Sequence, residues 1–215
     1  MEKKTDIKSL SNKAKVQYIW DYYKFPILGT IVGVSIVIFL IHHFVTYRDP
    51  LLNVIMTNCN DPYGVDESGF DEFMDKYGYS EDKNNYVSLT ATLQFREGAD
   101  YTESYNEHYV LTTKVAAGNQ DLFFGTGEVF LSYAEDGALI DLSMVLSEEL
   151  LEKYKDNLIY STDCGEVASY PCAIEITDNE WLKKNNYYDT CYFGIFYDNQ
   201  GIEPCKQFAE FLLEY

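Results

Sequence analysis

The chain has few of the residues on which most catalytic and metal sites depend. Beyond residue 48 it contains a single histidine, His108, and any Ser–His–Asp or Cys–His site in that part would need it. Because His108 falls inside a predicted helix, we interpret it as structural, and a hydrolase that relies on it is the alternative. None of the five cysteines has the C-x-x-C spacing of zinc or thioredoxin-type sites. We therefore expect no enzymatic activity, no cofactor and no metal site.

Other ligand motifs are incomplete. The oxygen-rich loop 58–67 lacks the spacing of calcium loops, so Ca²⁺ stays an alternative without a motif. Gly125-x-Gly127 leads into no phosphate-loop pattern. Adjacent carboxylates such as Glu148 and Glu149 suit helix N-termini, where negative charge is favoured, and so they predict no glycosidase-like pair.

Charged residues are missing from one long stretch: no Asp, Glu, Lys or Arg lies between Lys24 and Arg48. About 20 apolar residues at 1.5 Å each form a helix of about 30 Å, the thickness of a bilayer core. The sequence therefore predicts a transmembrane helix over residues 25–46. A signal peptide would end in a small-residue cleavage site, and none follows the stretch. The first cysteine, Cys59, comes too late for a lipid anchor, so we expect an uncleaved single-pass anchor.

Lysines are concentrated before the predicted span. Those that precede it are Lys3, Lys4, Lys8, Lys13, Lys15 and Lys24, and after Arg48 the next basic residue is Lys76. The positive-inside rule then places residues 1–24 in the cytoplasm and residues 47–215 outside the cell. The predicted location is the cell membrane, with the lipid bilayer as the first partner.

Gly29 and Gly33 form a G-x-x-x-G pair within the predicted span. Small residues at this spacing let two helices approach closely, which would make the chain a homodimer. The alternative is that glycine is simply common in membrane spans.

The predicted exterior part is strongly acidic. Residues 49–215 carry 32 Asp or Glu against 9 Lys or Arg, a net charge of −23. Such a surface repels nucleic acid and acidic lipid head groups, so we expect no nucleic-acid partner. The charge suits cationic or neutral partners, or it simply keeps the domain soluble.

All five cysteines lie in this acidic part, and an odd number leaves one unpaired if the others form disulfides. The spacing allows a Cys164–Cys172 bridge around a small loop and a Cys191–Cys205 bridge between a strand and the next helix. The alternative is that all are buried free thiols, which behave as small apolar residues.

Apolar patterning predicts an α/β domain. The predicted strands cover residues 51–58, 86–95, 121–124, 167–176 and 191–197. Helices are predicted over 68–77, 101–116, 128–135, 147–154 and 181–184, and from Pro204 onward. Alternating strands and helices are typical of a mainly parallel sheet with helices on both sides. The run 191–197 is apolar without alternation, as expected of a central strand.

Two helices are recognised by a stripe of residues at helical spacing. Cys205, Phe208, Ala209 and Leu212 form the predicted inner stripe of the last helix. Tyr101, Tyr105, Tyr109, Thr112 and Ala116 form a stripe of the helix predicted over 101–116.

Two segments resemble the extracellular solute-binding proteins of ABC importers. The first runs from Gly118-Asn119-Gln120-Asp121-Leu122 through Tyr133-Ala134-Glu135-Asp136-Gly137-Ala138-Leu139-Ile140-Asp141-Leu142. There the family has a strand that starts at an Asp and a helix that ends in Tyr-Ala-x-x-Gly-x-Leu-x-Asp-Leu. The second joins Phe193-Gly194-Ile195 to Glu203-Pro204-Cys205-Lys206-Gln207-Phe208-Ala209-Glu210-Phe211-Leu212. It is similar to the family's late strand and following helix, although the family usually has Ala at the position of Cys205.

The resemblance implies one lobe rather than a whole binding protein. Family members have two lobes that close over a ligand, and Gram-positive members are usually lipoproteins. Here the segment 142–192 is too short for a second lobe, and the predicted anchor is a helix. The resemblance therefore implies a lobe of the periplasmic-binding-protein fold, held at the outer face of the membrane and acting with ABC transporter subunits.

Open α/β sheets bind ligands at the carboxyl ends of their strands. On that ground the predicted ligand contacts are Asn58, Asn60, Gly125, Thr126 and Gly127, unless these are ordinary turn residues. The predicted function is a non-enzymatic, membrane-tethered binding or accessory module that works with an ABC transporter or another membrane complex. The alternative is a structural protein-interaction domain without a small-molecule ligand.

Overall fold

The computed structural model describes residues 11–46, 48–96, 98, 104–163 and 168–215. The chain divides into two units, Met1–Arg48 and Asp49–Tyr215. In the first unit one helix, α1, runs over Asn12–Thr46, and the predicted span lies within it. Its stretch Tyr23–His43 has 21 residues and a mean hydropathy of 2.3, which at 1.5 Å per residue is long and apolar enough to cross a bilayer. Both a single-pass anchor and a signal anchor have this character.

In the second unit, six strands of the described residues form one open sheet. They are β1 (Leu52–Thr57), β2 (Val87–Leu93), β3 (Leu122–Gly125), β4 (Leu158–Tyr160), β5 (Pro171–Thr177) and β6 (Thr190–Ile195), in the order β2-β1-β3-β6-β5-β4. The α-helices are α2 (Asp71–Lys76), α3 (Tyr105–Ala117), α4 (Gly127–Glu135), α5 (Glu148–Lys153), α6 (Glu180–Lys184) and α7 (Ile202–Glu214). The unit is an α/β domain, as the sequence predicts.

The sheet is mixed, which corrects the prediction of a mainly parallel one. β1 pairs in parallel with β2 and β3, whereas the pairs β3–β6, β6–β5 and β5–β4 are antiparallel. A parallel return needs a crossover, usually a full helix that packs across the sheet. Between β5 and β6 lies only α6, with five residues, and β6 accordingly returns antiparallel beside β5. The three-residue edge strand β4 is too short to show a pattern in the sequence.

Helices cover both faces of the sheet. On one face α2, α5, α6 and α7 pack over strand residues such as Val54 and Phe193. On the other face α3 and α4 contribute Leu111 and Phe130. Strand β6 is central in the sheet order, as predicted. The predicted inner stripe of α7 is confirmed, because its members Cys205, Phe208, Ala209 and Leu212 are all 0% exposed.

The tyrosine stripe of α3 faces solvent. Tyr105 and Tyr109 are 54% and 62% exposed, and their ring centroids stack 6.4 Å apart. The buried residue of this helix is Leu111, on the side away from the tyrosines. Tyr101 lies outside the described residues. Tyrosine spacing thus identified a helix without identifying the face that packs on the sheet, since a tyrosine ring suits either side.

A buried carboxylate joins three segments at the start of β3. Asp121 is 0% exposed, and its Oδ2 accepts a hydrogen bond from the Asn53 backbone N–H at 2.7 Å. Its Oδ1 accepts one from the Gln200 backbone N–H, also at 2.7 Å. Burial raises the pKa of Asp121, and the two backbone donors oppose that rise. The residue therefore holds β1, β3 and the turn before α7 together.

The predicted Cys191–Cys205 disulfide is not formed in this structure, since both residues are free, buried thiols. Cys205 Sγ lies 3.9 Å from Asp121 Oδ1, and the Asp121 carbonyl accepts a hydrogen bond from the Phe196 N–H. At about 3.3 Å per extended residue, Phe196 is roughly 16 Å along the chain from Cys191. A disulfide needs Cα atoms within about 7 Å of each other, so the two thiols lie near opposite ends of β6.

The remaining described cysteines are also free and buried. Burial raises the pKa of the Cys59 and Cys172 thiols to about 11, so they stay protonated at neutral pH and react slowly. The predicted Cys164–Cys172 bridge involves Cys164, which lies outside the described residues.

Candidate functional site

A cavity of about 330 Å³ lies where the three parallel strands end. Its volume falls near the lower limit of ligand pockets, roughly 300–1,000 Å³. It is lined by residues that follow β1, β2 and β3, by the start of α3 and by the first turn of α4. The helix after β1 packs on one face of the sheet and the helix after β3 on the other. Open α/β sheets bind ligands at such a switch point, outside the carboxyl ends of the strands.

Asn58 ties the ends of all three strands together. Its backbone is left-handed, with φ 57°, a conformation that Asn tolerates better than most residues. Its Oδ1 accepts a hydrogen bond from the Phe95 N–H at 2.5 Å, and its Nδ2 donates to the Thr126 carbonyl at 3.4 Å. Because both ends of the amide bind backbone groups, Asn58 shapes the wall of the cavity.

We expect Asn58→Ala to lower the free energy of unfolding by about 2 kcal/mol, because it leaves the Phe95 N–H and the Thr126 carbonyl without their side-chain partner. Urea unfolding of the full chain, followed by the fluorescence of buried Trp181, measures the change. Asn60→Ala is the matched control, because Asn60 is exposed and should change stability by less than about 0.5 kcal/mol. Equal stability of the two variants would contradict the assigned role of Asn58.

Residues in the first turn of α4 line the cavity. The helix begins at Gly127, after an extended Thr126 whose side chain makes no capping hydrogen bond. Gly127 has φ 75°, which glycine adopts at little cost. The first N–H groups of a helix lack intrahelical partners and carry the positive end of the helix dipole. This turn therefore offers donors to an oxygen-bearing ligand.

Two of the predicted contact residues lie outside the cavity lining. A Cβ at Gly125 would collide with Thr57 Oγ1, so this glycine allows β3 to pack closely against β1. Asn60 is exposed, and its backbone N–H donates to the Tyr187 carbonyl at 2.9 Å. Of the predicted contacts, the lining includes Asn58, Thr126 and Gly127.

Sequence reasoning did not assign the other eight lining residues to a binding site, and the polar or charged side chains of Arg96, Ser104, His108 and Glu128 are among them. Arg96 follows β2 and is the only arginine between residues 49 and 215, a signal that is visible in the sequence. Ser104 is 7% exposed but belongs to no motif. The His108 ring meets the Phe95 ring edge-on, with centroids 4.8 Å apart, and the structural role expected of this histidine stays a prediction.

The lining combines hydrogen-bond donors with one carboxylate. Arg96, the Ser104 hydroxyl and the first turn of α4 can donate, whereas Glu128 in that turn can only accept. This set suits the binding of a polar molecule. Within the described ranges, no group of three or more His, Cys, Asp or Glu side chains is arranged to hold a metal ion.

A second cavity, of about 400 Å³, lies beside α2. Acidic side chains dominate its charged lining, namely Glu67, Asp71, Asp75 and Asp82, with Lys83 among them. It reaches β2 at Tyr86 and Val87, the amino end of that strand. It therefore lacks the parallel strand ends that make the first cavity the candidate site.

Comparison of the chain with protein-family models, with curated proteins and with solved structures gives no match. The resemblance to solute-binding proteins therefore stays a prediction.

Proposed function

We propose that the chain is a membrane-tethered, extracytoplasmic binding module. It takes a small polar ligand at the ends of β1, β2 and β3, and it works beside an ABC transporter or another membrane complex. The observation that carries this proposal is the cavity itself, which lies at a switch point of the sheet and includes Asn58, Thr126 and Gly127 in its lining. The chemistry is binding alone.

The proposed membrane anchor and its orientation are inferred from the N-terminal part of the chain. The helix α1 is long and apolar enough to span a bilayer, and lysines precede the apolar stretch. The positive-inside rule favours a cytoplasmic N-terminus and an exterior domain. An acidic exterior domain is compatible with this direction, because acidic residues contribute little to orientation.

The proposal of a transporter partner is based on the two segments that are similar to solute-binding proteins. In the domain these segments form β3, α4 and the turn after it, and β6 with α7. A clamshell closes two lobes over a ligand, whereas the described residues of the domain form one sheet. In this proposal the partner supplies the second wall of the site.

The test is purification of the tagged full chain from native membranes in mild detergent, followed by mass spectrometry. We expect permease and ATPase subunits to be enriched over a tagged single-pass protein of unrelated sequence. In the same cells, protease added from outside should digest residues beyond Arg48 and spare an N-terminal tag. Recovery of the chain without any transporter or membrane-complex subunit, or protection of the acidic domain, would contradict the proposal.

A structural protein-interaction domain is the second candidate. It is favoured by the net charge of −23 over residues 49–215 and by the exposed, stacked rings of Tyr105 and Tyr109. Tyrosine is enriched at protein interfaces. Under this candidate no small molecule raises the melting temperature, and Tyr109→Ala weakens recovery of the partner while substitutions in the cavity do not.

A further inference from the structure

We infer that the cavity at the ends of β1, β2 and β3 binds a small molecule through a carboxylate group. This inference rests on the proposed binding function and goes beyond it by naming the ligand class. Three sets of donors belong to residues that line the cavity: the backbone N–H groups in the first turn of α4, the Ser104 hydroxyl and the guanidinium of Arg96.

The first donors are the backbone N–H groups of α4. This helix has nine residues, so its dipole is developed, and its N-terminus attracts negative charge. The Thr126 side chain does not cap it. Glu128 and Val129 follow Gly127 in the lining, so one turn of the helix contributes consecutive residues to the cavity.

The second donor is Ser104, at the start of α3. It is 7% exposed, and its side chain makes no capping bond to its own helix. Its hydroxyl has no hydrogen-bond partner among the described residues. Every fully enclosed side-chain nitrogen or oxygen in the described ranges does have such a partner. The hydroxyl is therefore not fully enclosed, and Ser104 is one of the residues that line this cavity. A hydroxyl held in so buried a position without a protein partner is a candidate for ligand contact.

The third donor is Arg96, the only arginine of residues 49–215. Guanidinium binds a carboxylate through two parallel hydrogen bonds, a geometry that lysine cannot supply. Its place in the cavity lining, which also includes the start of α4, fits recognition of a ligand's carboxylate.

The remaining charges favour a carboxylate over a phosphate. Glu128 lines the same cavity, and the domain as a whole carries −23. A phosphate group brings about −1.5 to −2 charges at neutral pH and a carboxylate only one, so the phosphate suffers more repulsion. Phe95 and Val129 also line the cavity and provide apolar surface for the body of an organic acid.

Two sources share this chemistry: simple organic acids and free amino acids. Glu128 distinguishes them, because its carboxylate repels an acid but pairs with the ammonium group of an amino acid. Glu128→Gln should tighten binding of a simple acid about threefold and weaken binding of an amino acid about tenfold.

The experiment uses the full chain in detergent, with calorimetric titration and thermal unfolding as readouts. The probes are pairs of an acid and its amide: acetate and acetamide, lactate and lactamide, L-alanine and L-alaninamide, L-leucine and L-leucinamide. We expect at least one acid to bind and to raise the melting temperature, while its amide partner binds at least tenfold more weakly.

Variants locate the bound carboxylate. Arg96→Gln should lower the affinity for the acid that binds about tenfold, and Ser104→Ala should lower it about threefold. Lys155→Gln makes the same charge change on the surface, at a lysine whose side chain is 58% exposed, and should leave the affinity unchanged. Equal loss in Arg96→Gln and Lys155→Gln would overturn the inference, because it would show an effect of net charge alone.

Two failures remain distinguishable. If an amide or a neutral sugar binds in a manner sensitive to Ser104→Ala, the carboxylate inference is wrong and the proposed binding function stands. If no acid, amide or sugar binds the wild-type chain, both the carboxylate inference and ligand binding by this cavity are wrong.

Discussion

Asp121→Ala is expected to lower the free energy of unfolding by about 3 kcal/mol, because the buried N–H groups of Asn53 and Gln200 lose their acceptor. Both bonds are 2.7 Å long, and the carboxylate is 0% exposed. The two donors belong to β1 and to the turn before α7, so the loss loosens the amino edge of the sheet. Urea unfolding of the full chain, followed by Trp181 fluorescence, gives the change in free energy.

Asp121→Asn tests the hydrogen bonds and the charge separately, because it removes the negative charge and keeps the shape of the side chain. An amide has one oxygen and an NH₂ group, so it can accept from one backbone N–H but faces the other with a donor. We expect most of the destabilisation to remain. Asp156→Ala, at an exposed position, is the control and should cost less than about 0.5 kcal/mol. A stable Asp121→Ala variant would mean that this carboxylate does not hold the three segments.

The pH dependence gives an independent check on Asp121. Burial raises the pKa of its carboxyl above the ordinary 3.8 in the folded state, so the folded state holds this proton more tightly than the unfolded state. The stabilisation that results is complete below pH 3.8 and is lost as the pH rises through the raised pKa. The stability of the wild type relative to Asp121→Asn should therefore decline as the pH increases over that range.

Phe208→Ala is expected to cost about 4 kcal/mol, because it removes a fully buried ring from the centre of an aromatic cluster. Phe208 is 0% exposed. Its ring lies 5.1–6.3 Å, centroid to centroid, from those of Phe70, Phe73, Phe124, Trp181, Phe193 and Phe211. These rings come from the 3-10 turn Glu67–Phe70, from α2, α6 and α7, and from two strands, so the loss of one ring would weaken several contacts at once.

Two controls separate volume from aromatic contact at this position. Phe208→Leu keeps most of the buried volume and should cost about 1.5 kcal/mol. Tyr109→Ala removes an aromatic ring that is 62% exposed and should change stability by less than about 0.5 kcal/mol. If Phe208→Ala were as stable as Tyr109→Ala, the cluster would not be the main core of the domain.

The spacing of apolar residues predicted much of the domain's secondary structure, because helices and strands depend on interactions between residues that are close in the chain. The stripe on α7 is a helical repeat of apolar residues with one buried face, and it packs as the spacing indicates. The stripe on α3 shares the same spacing, yet its exposed tyrosines show that spacing alone does not choose a face. The prediction of mainly parallel strands was wrong for a related reason. Helices alternate with strands here, but α6 is too short to bring β6 back in parallel.

The candidate site likewise contains residues that the sequence predicts and residues whose place depends on the tertiary structure. Asn58 and Gly127 could be predicted because turn residues after strands mark the carboxyl edge of a sheet. Arg96 and Ser104 could not be placed beside them, because their positions depend on the pairing of β1 with β2 and on where α3 begins. Asn60 follows the same strand as Asn58, but the left-handed turn at Asn58 leads it away from the cavity.

By itself, the sequence determined a long apolar helix, an acidic α/β domain and the inner face of the last helix, since each depends on neighbours a few residues apart. Tertiary structure alone decided the mixed sheet, the free thiols of Cys191 and Cys205, and the meeting of Asn58, Arg96, Ser104 and the start of α4. Those features depend on which distant segments pair, and pairing is set by packing of the whole domain rather than by local spacing.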